Sequence, residues 1–523
     1  MFETAIQITA VVLLSFYAAI RLKKELQMMQ QNSYRIGRYW RWLRSGLGAV
    51  DRITDLLLLG VVFFFWGDLW AEGGVGLVSL YKSVKELRTH YKKPLVFTAR
   101  AVRLYDVGIV LIALSVVGSW WFAGEVEWGI LSAVLLSVFS PLVIVFAVLI
   151  LMPFEKALNR WYYNDARRML RMMPDLVVIG VTGSYGKTST KHYLYRILSE
   201  HYNVLMTPGS YNTTLGVIRT IREHLKPYHN VFIVEMGAKQ RGDIREICEL
   251  VHPRIGILTA VGEQHLESFK TIENVQATKF ELIDALPPDG TAVLNCDFPY
   301  VASRPVENVQ RVIRYGIENE KCDYGVKDVH YGHGETAFTV VDATGGELRL
   351  TTRLVGSCNL SNILAGVIVA RTLGLSDEEI RYGVSQISPV EHRLSVKRTA
   401  AGITVIDDAF NSNPHGAKMA LDVLATFTGG RRIVVTPGMI ELGAKQFDCN
   451  HAFGRQIAAV ADYVIVVGRY NQEAIVSGLR AEGFDEKNLF TAVDFAAATA
   501  KLRETTQAGD TILYENDLPD TFK

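Results

Sequence analysis

Residues 180–188 read Gly180-Val-Thr-Gly-Ser-Tyr-Gly-Lys-Thr188, at the end of the apolar run Leu176–Val181. Glycines at such a strand end let backbone N–H groups approach phosphate oxygens, and the following helix adds the field of its N-terminus. Lys187 can neutralise the phosphates and the Thr188 hydroxyl can bind Mg²⁺. The match to the strict phosphate-loop pattern is partial, because Val181 stands at its first glycine position. We predict a nucleotide-binding loop; the alternative is a glycine-rich strand–helix turn without a ligand.

After residue 176, short apolar runs alternate with helical patterns, which predicts strands of a mostly parallel sheet covered by helices. The runs that follow the first are Val231–Val234, Ile255–Thr259 and Ala292–Asn295, and the pattern restarts around Pro389–Val396 with Ile403–Ile406, Ile433–Thr436, Tyr463–Val467 and Thr511–Tyr514. We therefore predict two α/β domains. Residues 155–396 would form a central domain of the phosphate-loop type with a parallel or mixed sheet, and residues 397–523 a Rossmann-like domain.

The first 154 residues differ sharply in composition and predict an α-helical membrane module. Three uncharged runs, Thr4–Ile20, Val107–Gly124 and Trp128–Phe154, are each about long enough to cross a hydrocarbon core as a helix. Leu56–Gly67 is shorter and suits a re-entrant or interfacial helix. The first run lacks a basic start and a small-residue cleavage site, so we interpret it as a retained helix rather than a signal peptide.

Charge predicts the orientation of this module. Residues 21–54 carry eight lysines and arginines and residues 72–104 carry seven, whereas the loop between the last two runs carries only Glu125 and Glu127. The excess of cations in cytoplasmic loops places both basic segments inside. We predict a multi-pass protein of a bacterial-type inner membrane, in contact with membrane lipids, with its catalytic domains in the cytoplasm.

The overall charge and the cysteines exclude other classes. Lys+Arg (55) and Asp+Glu (54) nearly balance, which argues against nucleic acid held by bulk charge. The five cysteines lie far apart and form no CxxC pair. Reduced thiols in a cytosolic domain are therefore favoured over disulfides or a zinc site.

Three residues downstream of the loop are candidates for metal chemistry. Glu235 ends an apolar run, where a carboxylate beside a phosphate loop can bind Mg²⁺; taken alone, a helix cap or surface glutamate is equally favoured. His265 lies in Thr259–Glu267, and a lone histidine is more often structural. Lys279 by itself predicts an ordinary lysine on a helix surface.

Together these residues resemble the Mur ligase family, which makes amide bonds in cell-wall precursors, over residues 176–523. Thr182–Ser189 is similar to the family's TGxxGKT loop, which implies ATP contacts by Gly183, Ser184, Tyr185, Gly186, Lys187, Thr188 and Ser189. The resemblance makes Thr188, Glu235, His265 and Lys279 ligands of two Mg²⁺ ions, with Lys279 carbamylated, and makes Lys187, Lys279 and His265 catalytic. Gly356–Asn362 resembles an element near the nucleotide base, which implies roles for Asn359 and Asn362 although Cys358 replaces the usual histidine. Arg393 matches a nucleotide contact and Asp408 a ribose contact.

Within the family, several motifs are similar to the branch that adds a D-alanyl-D-alanine dipeptide. They are Tyr211–Gly216, Glu235–Ala238, Asp407–Pro414, Gly438–Gly443 and Tyr514–Asp520. This resemblance implies substrate contacts by Asn212, Thr213, Thr214, Asn411, Asn413 and Glu441.

The implied activity is ATP-dependent ligation of a carboxylate and an amine through an acyl phosphate, giving ADP and phosphate. Family members begin with a UDP-binding domain, whose place the membrane module takes here. We therefore expect the amino acid or dipeptide to be added to a precursor peptide at the membrane, for instance a lipid-linked one. Arg160, Arg167, Arg168 and Arg171 could face its diphosphate or, equally, anionic lipid. The alternatives are a membrane-bound synthase of the poly-γ-glutamate type and a non-catalytic nucleotide-binding scaffold.

Overall fold

A computed structural model describes residues 2–44, 49–91, 93–264, 266–331, 335–410 and 412–517; the side chains of residues 49–52 are also left undescribed. The chain divides into a helical unit, which ends at residue 159, and an α/β unit, which begins at residue 160.

Seven helices begin within the described residues of the helical unit, and the last of them, α7, continues past residue 159 into the α/β unit. They are α1 (Phe2–Gln31), α2 (Ile36–Arg44), α3 (Ala49–Phe64), α4 (Leu69–Arg88), α5 (Ala99–Ala123), α6 (Val126–Val138) and α7 (Ser140–Arg171). Helix α1 packs on α4, α5 and α6, around a core that includes Leu14, Leu22, Leu104 and Ile130.

Three of these helices, α1, α5 and α7, are long and apolar enough to cross a membrane by length and composition. The predicted run Trp128–Phe154 is not one helix, because α6 ends at Val138 and α7 begins at Ser140. Pro141 in the first turn of α7 has no N–H to donate, so the ladder of α6 cannot continue through it. The run Leu56–Gly67 begins within α3.

Charged side chains are buried inside the helical unit. Arg21 and Asp55 are 3% and 1% exposed, with Arg21 Nε 3.3 Å from Asp55 Oδ2, and Lys82 also pairs with Asp55. The hydroxyl of Tyr17 donates to Asp55 Oδ1 at 2.6 Å. Buried charges are tolerated when they are paired in this way.

The first sheet of the α/β unit has nine strands in its described part, in the order β2-β3-β1-β4-β5-β6-β7-β8-β9. They are β1 (Val177–Thr182), β2 (Val204–Met206), β3 (Val231–Glu235), β4 (Ile255–Leu258), β5 (Thr291–Asn295), β6 (Arg311–Tyr315), β7 (Tyr324–Tyr331), β8 (Thr336–Asp342) and β9 (Glu347–Thr352). Strands β2 to β7 in this order pair in parallel, and β7, β8 and β9 pair antiparallel. The sheet is therefore mixed, as predicted.

Helices cover both faces of this sheet. They are α8 (Lys187–Leu198), α9 (Thr214–His224), α10 (Asp243–Val251), α11 (Leu266–Phe269), α12 (Ile272–Asp284), α13 (Pro299–Ala302), α14 (Ser357–Thr372) and α15 (Asp377–Ser385). One core contains β-strand residues with α8, α14 and α15, and the other contains residues of α9, α10 and α12. The last turns of α7 join the second core through Ala166, and Asp165 pairs with Arg222 of α9 at 2.8 Å.

The second sheet has six strands in the described residues, in the order β10-β11-β15-β12-β13-β14. They are β10 (Ser395–Arg398), β11 (Thr404–Asp408), β12 (Arg432–Thr436), β13 (Tyr463–Val467), β14 (Leu489–Ala492) and β15 (Thr511–Glu515), and only β10 pairs antiparallel. The helices are α16 (Pro414–Ala425), α17 (Gln446–Ala458), α18 (Gln472–Ala481) and α19 (Phe495–Thr505), with short 3₁₀ turns at Gly443–Lys445 and Glu486–Asn488. Because β10 begins at Ser395, this sheet starts slightly before residue 397.

Strand register in the first sheet positions the site. Val181 of β1 pairs with Glu235 of β3, and Thr182 pairs with Leu258 of β4. The carboxyl ends of three neighbouring parallel strands therefore meet at one edge, where the glycine-rich loop also begins. Ligands of open parallel sheets bind at such an edge.

Candidate active site

The glycine-rich loop connects β1 to α8 and is braced by its neighbours. Gly186 has a φ of +76°, and a Cβ there would lie 2.5 Å from Asn362 Oδ1, so a side chain would not fit. Ser184 N donates to Ala260 O at 2.8 Å, and the Ser184 hydroxyl donates to Gly262 O at 3.1 Å. The loop is thus held in one conformation, as a preorganised phosphate site requires.

Lys187, the first residue of α8, turns back onto this loop. Its Nζ donates to Gly183 O at 2.6 Å and to Ser184 O at 3.2 Å. Burial lowers the pKa of Lys187 to about 8; Glu235 opposes this effect and Arg393 adds to it. Phosphate oxygens could replace the two carbonyls as partners and would favour the charged amine.

Glu235 is 1% exposed and lies at the centre of a polar cluster. Its Oε1 accepts from the Thr188 hydroxyl at 3.2 Å and from Asn212 Nδ2 at 3.1 Å. Lys191 Nζ lies 3.1 Å from Oε2, close enough for an ion pair but at an angle that leaves Oε2 without a well-formed hydrogen bond. Burial works against the charge on Glu235, but Lys191 and then Lys187 outweigh it and keep the pKa below its usual value.

Lys279 lies on α12 and is 2% exposed, so its interpretation as a helix-surface lysine is wrong. Burial, and then the charge of Lys187, lower its pKa well below the ordinary value, against the opposing effect of Asp243 and Glu235. The Lys279 amine has no hydrogen bond or ion pair to another residue that the structure describes. The predicted partner His265 lies outside the described residues.

Two hard oxygen donors in this cluster suit a magnesium ion. Thr188 Oγ1 and Glu235 Oε1 are 3.2 Å apart, close to the separation of about 3 Å between adjacent ligands of an octahedral Mg²⁺. No group of three histidine, cysteine or acidic side chains converges among the described residues. The residues present therefore fit a Mg²⁺ whose remaining ligands are phosphate and water oxygens.

Helix α14 carries two predicted nucleotide-binding residues and packs on α8. The Tyr193 hydroxyl donates to Asn359 Oδ1 at 2.7 Å, and the Thr190 hydroxyl donates to Asn362 Oδ1 at 3.1 Å. Ser189 is buried on α8. The structure thus joins Asn359 and Asn362 to the helix that begins at the phosphate loop.

The C-terminal domain contributes Arg393 to this cluster. Arg393 Nη2 lies 3.4 Å from Thr188 Oγ1, and the guanidinium lies 4.0 Å over the ring of Phe410. Asp408 ends β11, and its burial raises its pKa to about 6 against the opposing charge of Arg393. Glu515, at the end of β15, is fully buried, and its pKa is raised by burial and then by Asp408.

Residues 207–213 form the β2–α9 loop, which carries the predicted substrate contacts Asn212 and Thr213, and the third, Thr214, is the first residue of α9. Asn212 contacts Glu235, as described above. The Thr213 hydroxyl caps α9 by accepting from Gly216 N at 3.3 Å, and the Thr214 hydroxyl donates to Glu246 Oε2 at 2.9 Å.

Two further predicted substrate contacts, Asn413 and Glu441, lie in the C-terminal domain. Asn413 caps α16 by accepting from Gly416 N at 2.8 Å. Glu441 has a φ of +63°, and its carbonyl accepts from Glu267 N of the central domain at 3.1 Å. Asn411 lies outside the described residues.

A cavity of about 350 Å³ lies between these two domains, and its lining residues include Glu263, Pro414, Met439, Lys445 and Phe453. Glu263 and Lys445 form an ion pair. The sequence did not single out these residues or Lys191. Glu263 lies in the segment in which His265 drew the interpretation, and Lys191 and Lys445 follow shortly after the motifs that ended at Ser189 and Gly443.

Comparison with known proteins identifies the family. The models of the Mur ligase middle domain and of the Mur ligase, glutamate ligase domain match residues 181–370 and 392–514. The UDP-N-acetylmuramoyl-tripeptide–D-alanyl-D-alanine ligase of Synechocystis is 31% identical over 345 residues, which cover 65% of this chain and 71% of that protein. The chain belongs to the Mur ligase family.

Two further relatives support the same branch. The ligase of this name from Escherichia coli is 28% identical over 331 residues, covering 63% of this chain and 73% of that protein. The crystal structure of MurF ligase from Thermotoga maritima in complex with ADP is 27% identical, with a TM-score of 0.61, and covers 68% of this chain and 80% of that one. The predicted resemblance to the MurF branch is confirmed. As a Mur ligase, the chain is an ATP-dependent enzyme that forms C–N bonds.

Proposed function

We propose that this Mur ligase joins the amine of D-alanyl-D-alanine, or of a related amino acid, to a carboxyl group of a peptidoglycan-precursor peptide. The observation that carries the proposal is the cluster of Lys187, Thr188, Glu235 and buried Lys279 at one sheet edge, in a chain similar to MurF ligases.

The chemistry has two steps. The peptide carboxylate attacks the γ-phosphorus of ATP, the bond to ADP breaks, and an acyl phosphate forms. The amine then attacks the acyl carbon, loses a proton and displaces phosphate. Lys187 and Arg393 supply positive charge against the phosphate oxygens, and position rather than side-chain nucleophilicity provides the rate.

Mg²⁺ bound with ATP would neutralise phosphate charge. Thr188 and Glu235 would hold one ion, and His265 with carbamylated Lys279 would hold a second. Only a neutral amine reacts with CO₂, and burial of Lys279 favours that form. Carbamylation would convert this side chain into an anionic oxygen donor.

The amine donor would occupy the cavity between the two domains. Glu263 and Lys445 offer one anionic and one cationic group, which match the ammonium and carboxylate of a zwitterionic dipeptide. Pro414 and Met439 of the same lining are close in sequence to the predicted contacts Asn413 and Glu441. Without a donor, Glu263 and Lys445 pair with each other and close the cavity. A bound donor would replace this ion pair.

We further propose that the helical unit lies in the membrane, with the ligase domains in the cytoplasm and the acceptor peptide linked to lipid. Helices α1, α5 and α7 support this by length and composition, and the basic segments support the orientation. Large apolar side chains such as Trp70, Trp121 and Phe122 are more than four-fifths exposed, which suits lipid better than water.

Full-length protein in detergent tests the reaction. Amino acids and dipeptides would be screened for donor-dependent ADP release, with lipid-linked or UDP-linked tripeptide as acceptor and product mass as readout. We expect one addition of D-alanyl-D-alanine and a preference for the lipid-linked acceptor. Repeated additions would indicate a polymer synthase, and equal rates on both acceptors would contradict the membrane-acceptor proposal. If the wild-type protein released no ADP with any combination of donor and acceptor, ligation would be contradicted. Loss of ADP release in the Lys187→Ala variant alone is the expected result.

A further inference from the structure

Lys191 is a buried cation that the phosphate-loop motif does not explain. It lies one helical turn after Lys187 on α8, and its side chain is 0% exposed. Its Nζ donates to Gly209 O at 2.6 Å and lies 3.1 Å from Glu235 Oε2. Removing an ammonium from water is unfavourable unless it is paired, so its burial depends on these two partners.

The β2–α9 loop, which contains Gly209, is tied to the end of β3 at further points. Glu235 N donates to Thr207 Oγ1 at 3.1 Å, and Gly237 N donates to Asn212 O at 2.7 Å. The side chain of Asn212 also donates to Glu235 Oε1 at 3.1 Å. Lys191 therefore contacts both the β2–α9 loop and the Glu235 carboxylate, and Asn212 of the loop contacts that carboxylate directly.

The two oxygens of Glu235 have different surroundings. Oε1 faces the Thr188 hydroxyl and the Asn212 amide, at the side of the phosphate loop. Oε2 faces Lys191 Nζ, 3.1 Å away. The ammonium thus contacts the oxygen that does not face Thr188.

We propose that Lys191 is a positioning residue that holds Glu235 Oε2, so that Oε1 faces Thr188, and joins the β2–α9 loop to the same carboxylate. The proposed metal ligand and the loop that carries the predicted substrate contacts Asn212 and Thr213 are then set as one unit. The inference rests on the proposed assignment of Glu235 to Mg²⁺.

The test is ADP binding by calorimetry on the full-length protein, with and without Mg²⁺, and hydrogen–deuterium exchange of the β2–α9 loop. For Lys191→Met we expect metal-free ADP affinity to stay within about threefold of the wild type. Mg²⁺ is expected to tighten ADP binding. The Mg²⁺ concentration that gives half of this gain in ADP affinity should rise by about tenfold or more in the variant, equivalent to about 1.4 kcal/mol. Exchange of the loop should also increase.

Two further variants separate the roles of the ammonium. Lys191→Gln keeps a donor for the Gly209 carbonyl without the charge, so we expect the raised Mg²⁺ requirement with a smaller change in loop exchange. It also decides the question if Lys191→Met does not fold. Arg431→Met is the matched control. It breaks an ion pair with buried Asp510, 2.7 Å away, and these two residues directly precede strands β12 and β15 of the second sheet.

Three results would overturn the proposal. One is a wild-type Mg²⁺ requirement and loop exchange in both Lys191 variants. Another is an equal loss of ADP affinity with and without Mg²⁺, and the third is the same pattern in Arg431→Met. If Glu235→Gln itself left the Mg²⁺ requirement unchanged, the assignment of the metal ligand would fail, and with it the proposed site.

Discussion

The hydroxyl of Thr188 donates to Glu235 Oε1 across 3.2 Å and so joins the start of α8 to the end of β3. The phosphate loop and the carboxylate come from neighbouring parallel strands, and this bond brings their functional atoms to the separation of adjacent magnesium ligands.

Thr188→Val should keep the fold and lose the reaction. Valine has the same shape but lacks the oxygen, so we expect kcat/KM to fall by about 10²-fold or more and the Mg²⁺ requirement to rise. Steady-state kinetics over a Mg²⁺ series measures both. Thr372→Val on α14 removes a hydroxyl that donates to Ile368 O at 2.8 Å and should leave both values unchanged. Retained activity in Thr188→Val would exclude the hydroxyl as a ligand.

Lys279→Met should abolish ligation without destabilising the protein. Methionine fills similar space without a buried amine, so the melting temperature should stay or rise while activity falls by about 10²-fold or more. With carbon-13-labelled bicarbonate, NMR should show a carbamate signal in the wild type that this variant lacks. An unlabelled wild type with full activity would show that the free amine suffices.

Lys445→Met should weaken the donor selectively. The variant removes the cation proposed to bind the donor carboxylate, so the KM for D-alanyl-D-alanine should rise by about tenfold, with ADP affinity unchanged. Lys418→Met is the control, because Lys418 pairs at 2.9 Å with Asp422 on the surface of the same domain. An unchanged donor KM would place the donor elsewhere.

Asp408→Asn should stabilise the protein in a pH-dependent way. Folding raises the pKa of Asp408 from its ordinary value, about 4, to about 6. A carboxyl with a raised pKa contributes stability that is present below about pH 4 and lost as the pH rises through about 6. The variant should therefore melt roughly 2 °C above the wild type near pH 7.5, with a smaller difference near pH 5. The same difference at both values would contradict the raised pKa.

The predicted strands were those inside the two sheets. Continuous apolar runs identified β1, β3, β4 and β5, and in the second sheet β11, β12, β13 and β15, because strands buried on both faces need apolar side chains throughout. The unpredicted strands β2, β9, β10 and β14 are at sheet edges, and β6, β7 and β8 lead to the antiparallel extension. Partly exposed strands tolerate polar residues, so their pattern carries less signal.

The amino-acid pattern alone was enough to predict the phosphate loop, the alternation of strands and helices, the apolar N-terminal helices and Glu235 as a candidate ligand. Each of these features depends on residues that are close together in the sequence, so glycine positions and hydrophobic periodicity indicate it. The folded structure was needed to show that Lys279 is buried, that Lys191 faces Glu235 and that Glu263 pairs with Lys445. The charge state and partners of a side chain depend on groups brought together from distant parts of the chain, which no local pattern encodes.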